Sequence, residues 1–113
     1  MRVVNRSAFV VRPRVPYVRW AASLETDASG DAESLGSEVA IYLVPEEPTG
    51  THETPPIHDF FEEIFDAELE AWCTDESLWP ANRNLAMFLD WFDVTGQSII
   101  TDFGEGLIET EEA

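Results

Sequence analysis

Apolar positions along the chain fall into short runs and helical stripes, separated by turn-forming segments. Residues 7–11 (SAFVV) make a β-type run that Pro13 ends. Pro16 suits the first turn of a helix, and Tyr17, Trp20, Ala21 and Leu24 follow at the i, i+3, i+4, i+7 spacing of one helical face. Residues 25–37 (ETDASGDAESLGS) are small, polar and acidic, and read as a flexible acidic loop. Residues 38–44 (EVAIYLV) give the strongest strand signal, stopped by Pro45, and the proline-rich segment 45–56 reads as a second loop. Thr54 then offers an N-cap with Pro55 at the first helical position. From there Ile57, Phe60, Phe61, Ile64, Phe65, Leu69 and Trp72 keep helical spacing, with Asp59, Glu62, Glu63, Asp66 and Glu70 on the opposite side. After a break at 74–80, a second helix is expected from about Asn82, with Leu85, Phe88, Leu89 and Phe92 on its face and Gly96 at its end. Residues 97–103 read as a last strand, and the acidic tail 104–113 as frayed.

The resulting order, β-α-β-α-α-β, predicts an α+β fold: a small three-stranded sheet with helices packed on one face. At 113 residues the chain fits one domain. Its 44% hydrophobic content supplies a core despite the charge.

Charge changes the picture more than composition does. Six arginines stand against 23 acidic residues, for a net charge of −17. Five of the arginines (Arg2, Arg6, Arg12, Arg14, Arg19) precede Glu25, the first acid. Residues 1–22 thus carry +5 and the remainder 1 − 23 = −22. Phosphate recognition needs clustered cations, so ordinary nucleic-acid binding is disfavoured. An acidic surface fits solubility, a basic protein partner or cation binding. The single cysteine, Cys73, excludes an internal disulfide and any paired-thiol zinc or redox motif. No stretch approaches 18 apolar residues, and the N-terminus lacks the apolar run of a signal peptide. The expectation is a soluble cytoplasmic protein in a reducing compartment.

Between positions 64 and 102 the chain carries Phe65, Glu68-Leu69, Trp72, Asp75, Leu78-Trp79-Pro80, Arg83, Phe88, Trp91-Phe92-Asp93-Val94 and Asp102. With Arg12-Pro13, Trp20 and Tyr42-Leu43-Val44-Pro45, this pattern resembles a family of small acidic, uncharacterised bacterial proteins. The resemblance supports the fold reading and implies no activity.

Recognised catalytic signatures are missing: there is no phosphate-loop motif, no G-x-G-x-x-G and no G-x-S-x-G elbow. No catalytic residue and no cofactor is therefore assigned. His52-Glu53-Thr54-Pro55-Pro56 begins like H-E-x-x-H but ends in proline, which removes the second ligand. Cys73 reads as a buried structural thiol. His52, His58 and Glu62 are the candidate metal ligands, since His58 and Glu62 lie four apart on the expected helix. A boundary histidine making one hydrogen bond is the better reading of His58.

Glu68 is more informative, because its helical angle falls inside the apolar arc between Ile57 and Phe61. A carboxylate buried there unpaired costs several kcal/mol or takes up a proton. Arg83 is the one cation after residue 19, so a buried Glu68–Arg83 ion pair joining the two helices is expected. Met87 and Trp91 share a face turned away from Leu85 and Leu89, and so predict either a second packing layer or an exposed patch for a homodimer or partner. The functional expectation is a non-enzymatic protein-interaction domain. Its surface is formed by Asp59, Glu62, Glu63, Asp66 and Glu70, with Met87 and Trp91, and faces a basic protein. The alternative is an enzyme or metal-binding protein using Glu68, His58 and nearby carboxylates.

Overall fold

The computed structural model describes residues 1–24, 32–46 and 55–111. Along the chain run β1 (Arg2–Val3), β2 (Arg6–Pro13), α1 (Val15–Ser23), β3 (Ala40–Pro45), α2 (Phe61–Trp72), α3 (Leu85–Trp91), β4 (Phe92–Gln97) and β5 (Thr101–Asp102). Three 3-10 turns add Ala32–Ser37, Ile57–Asp59 and Glu76–Leu78. β2 lies at the centre of an antiparallel three-stranded sheet of order β3-β2-β4, and β1 pairs with β5 in a two-stranded sheet. The fold is α+β.

Register assigns each strand residue to a face. Phe9 pairs with Tyr42 and Gly96, Val11 with Ala40 and Val94, and Pro13 with Phe92. That face meets the helices in a core of Phe9, Val11, Tyr17, Val44, Phe61, Ile64, Phe65, Leu69, Phe88 and Phe92, so all three helices cover one side of the sheet. On the other side Val10 pairs with Ile41 and Thr95, and Ile41 and Leu43 stay exposed. Val3 pairs with Thr101 and Ala8 with Gln97, so residues 4–7 of one strand stand opposite 98–100 of the other. That one-residue excess marks the change of register between the two sheets, which the Val4 amide spans by donating to the Ile100 carbonyl at 2.8 Å.

Four segments differ from their sequence expectation. The second C-terminal helix does not run on to Gly96; it ends at Trp91, and Phe92–Gln97 becomes the third strand of the main sheet. Phe92 has helical spacing from Leu85 and Phe88, but β-branched Val94 and Thr95 suit a strand, and β2 supplies the ladder. The expected last strand shrinks to Thr101–Asp102, paired with β1. The long helix from Pro55 is interrupted, since Ile57–Asp59 is a 3-10 turn and Phe60 leaves helical backbone at φ −126°, ψ −8°. Phe60 sets its ring 6.3 Å from Phe9. Within 25–37, residues 32–37 wind into a 3-10 turn rather than an irregular loop, while 25–31 lie outside the described residues. The Thr54 cap and most of the proline-rich segment also lie outside them. Residues 104–111 carry no regular structure, although the Arg2 guanidinium donates to the Gly106 carbonyl.

The tryptophans of the 72–83 pattern build the connection between α2 and α3. Trp72 Nε1 donates to the Ala21 carbonyl at 3.1 Å, Trp79 Nε1 to Cys73 at 2.8 Å, and Trp20 Nε1 to Leu78 at 3.0 Å. Asp75 accepts from both the amide and the hydroxyl of Ser77, which caps the 3-10 turn and holds its carboxyl below the usual range. The Trp79 and Trp20 indoles thus satisfy the Cys73 and Leu78 carbonyls on either side of the 3-10 turn, while Trp72 adds a second donor to the Ala21 carbonyl at the end of α1.

Candidate functional site: the Glu68 cavity and the acidic face of α2

Helical periodicity places Glu68 among Phe61, Ile64, Phe65 and Leu69, the buried side of α2. The structure gives it a different partner from the one expected. Tyr42, inward-facing on β3, donates its hydroxyl to Glu68 Oε2 at 2.6 Å. Tyr17 on α1 donates to the Glu68 backbone carbonyl at 2.5 Å. One residue of α2 is thereby tied to both the sheet and the first helix. Burial raises the Glu68 carboxyl above its ordinary value, and the Tyr42 hydrogen bond opposes that rise only in part. Burial first, then the adjacent Glu68, raises both tyrosines, so each is a neutral donor near neutral pH.

The expected Glu68–Arg83 ion pair is not formed. Arg83 pairs with Asp66 at 3.6 Å, donates to the Pro80 carbonyl at 2.9 Å, and lies 5.4 Å from the Trp79 ring centre. The physical reason is that a tyrosine hydroxyl satisfies a half-buried carboxylate without the cost of burying a second charge. Arg83 stays at the surface, where the indole face and Asp66 hold it. The signal missed in the sequence was Tyr42, an aromatic with a donor on the inward face of the strongest strand.

Glu68 lines a cavity of about 200 Å³ with Pro13, Tyr17, Leu35, Glu38, Val39, Ala40 and Ala71. His58 is not part of it. His58 occupies the 3-10 turn before α2, is largely exposed, and sits 3.5 Å from Asp59 through Nδ1. The turn breaks the four-residue helical spacing between His58 and Glu62 on which their shared metal site depended. His52 lies outside the described residues, among which no group of three or more metal-ligating side chains gathers. Cys73 is half-buried, its Sγ 3.7 Å from the Asp75 carbonyl oxygen, rather than fully buried.

Asp59, Glu62, Glu63, Asp66 and Glu70 are all exposed on or just before α2. Within that group, Arg83 meets Asp66 and His58 meets Asp59. Elsewhere Arg2 is engaged by Asp102 at 3.1 Å, while Arg12 and Arg14 share Asp93 at 3.8 and 3.7 Å. Met87 and Trp91 do not extend the acidic surface as an exposed patch. Both are half-buried, and the Trp91 ring lies 6.3 Å from Tyr17, 6.1 Å from Trp20 and 5.7 Å from Phe65. They form the second packing layer.

No family model, curated protein or solved structure matches the chain.

Proposed function

We propose that this protein is a non-enzymatic interaction domain whose carboxylate-rich α2 face meets a basic protein partner. The observation that carries this reading is the division of α2. Phe61, Ile64, Phe65 and Leu69 are locked into the core, while Glu62, Glu63, Asp66 and Glu70 point outward and only Asp66 meets an arginine. Carboxylates carried on a core-packed helix, with one arginine counter-ion among them, concentrate negative potential on a surface that a cationic partner complements. The first arginines of the chain are mostly engaged near Asp93 and Asp102, so they leave that potential in place. The resemblance to small acidic bacterial proteins adds no activity to this reading.

The test is affinity capture from host lysate with the wild type and with a variant carrying Glu62→Gln, Glu63→Gln, Asp66→Asn and Glu70→Gln. A basic protein should be retained by the wild type at low salt, released at high salt, and not retained by the variant. Capture that the four substitutions leave unchanged, or no capture at low salt, would refute the proposal.

A further inference from the structure

We infer that the Glu68 cavity is a socket for one basic side chain, a lysine ammonium or an arginine guanidinium, presented by the basic partner. The inference rests on the interaction reading above and names the anchor that the partner would use.

The chemistry of the lining selects the ligand. Glu38 and Glu68 supply carboxylate acceptors, and Pro13, Leu35, Val39, Ala40 and Ala71 supply an apolar wall. The tyrosine donors are already committed, Tyr17 to the Glu68 carbonyl and Tyr42 to Glu68 Oε2. A ligand entering the cavity therefore meets acceptors and hydrocarbon, which fits a cationic head on an aliphatic stem and disfavours an anion. Among the described residues, no arginine or histidine stands within ion-pair distance of Glu68. The charge on Glu68 is thus offset only by one tyrosine hydrogen bond, and a bound cation would complete it.

Size narrows the choice further. The cavity, at about 200 Å³, is smaller than the roughly 300–1,000 Å³ typical of small-molecule and cofactor sites. It suits a single side chain. A hard divalent cation would ask for six or more oxygen ligands, and the lining offers two carboxylates and an occupied phenol. The position is also favourable for an anchor. The Glu68 side chain is held through Oε2 by the Tyr42 hydroxyl of β3, and its backbone by Tyr17 of α1, so some of the side-chain freedom lost on binding is already given up.

The test uses Nα-acetyl-lysine N-methylamide and Nα-acetyl-arginine N-methylamide, with the norleucine analogue as the uncharged control. Each is titrated into the ¹⁵N-labelled full chain while backbone amide shifts are followed. Saturable shifts at Glu38, Ala40, Glu68 and Ala71, with dissociation constants of roughly millimolar size, are expected for one or both cations and not for norleucine. Glu68→Gln should weaken this binding by about tenfold or more, since it removes the charge and keeps the shape. Ala71→Leu, which fills the cavity without touching a carboxylate, should abolish it. The four-substitution α2 variant should bind the same compounds as the wild type does. Shifts that do not saturate, that norleucine reproduces, or that persist in both Glu68→Gln and Ala71→Leu would overturn the inference. Failure of the socket with retention of salt-sensitive capture would remove this inference alone. Binding in the socket without capture would instead remove the interaction reading.

Discussion

Glu68 shows how much one residue settles. Its place in the apolar arc of α2 was legible from spacing alone, and so was its need for a partner. The partner's identity was not, because Tyr42 approaches from a strand 26 positions away and register is a tertiary property. A pH dependence follows from the direction of the shift. A carboxyl raised above its unfolded value binds its proton more tightly in the folded state. Folding is therefore favoured at acid pH, and that advantage is lost as pH rises from the ordinary carboxyl value through the raised one. The ionised carboxylate, which shares its surroundings with Tyr17, Tyr42 and Glu38, then carries a desolvation cost at neutral pH that the Tyr42 hydrogen bond offsets only in part. Glu68→Gln keeps an acceptor for the Tyr42 hydroxyl and removes the charge. Its melting temperature should exceed that of the wild type at pH 7, with the gap closing towards pH 4. A variant that melts lower than wild type at pH 7 would mean that the charge itself stabilises the fold.

At the scale of elements, periodicity located α1, β2, β3 and the body of α2, where apolar spacing and tertiary burial agree. It misplaced the end of α3. Leu85, Phe88 and Phe92 satisfy helical spacing, yet Phe92 is buried opposite Pro13 as the first residue of β4. Pairing with a distant central strand overrode a local pattern that both states could satisfy. The start of α3, Leu85, lies three residues after its expected position, because Asn82 takes a left-handed backbone at φ +57°. Asn84 becomes the N-cap, accepting from the Met87 amide at 2.8 Å. In a helix of seven residues that cap is a large share of local stability. Asn84→Ala should cost about 1 kcal/mol in urea unfolding, and Asn84→Asp or Asn84→Ser much less. Equal losses for alanine and aspartate would show that packing, not capping, fixes this end.

For the molecule as a whole, the sequence announced its charge before anything else, but not where that charge would face. The fold turns the apolar half of α2 into a core shared with both other helices and one sheet face, so the carboxylates of its other half stand in solvent on a rigid support. The aromatic wealth around positions 79–92 is consumed internally, which is why Met87 and Trp91 form a packing layer and not an exposed patch. No helix among the described residues is long and apolar enough to cross a membrane. The most direct test of the central claim is the salt dependence of the dissociation constant between this protein and its captured basic partner, measured with the wild type and with the four-substitution α2 variant. The wild-type affinity should fall steeply with rising ionic strength, as exposed charge pairs are screened over a Debye length of about 8 Å at physiological salt. The variant should bind more weakly at low salt and show a distinctly shallower dependence. Parallel slopes for the two proteins would contradict the assignment of the α2 face as the docking surface.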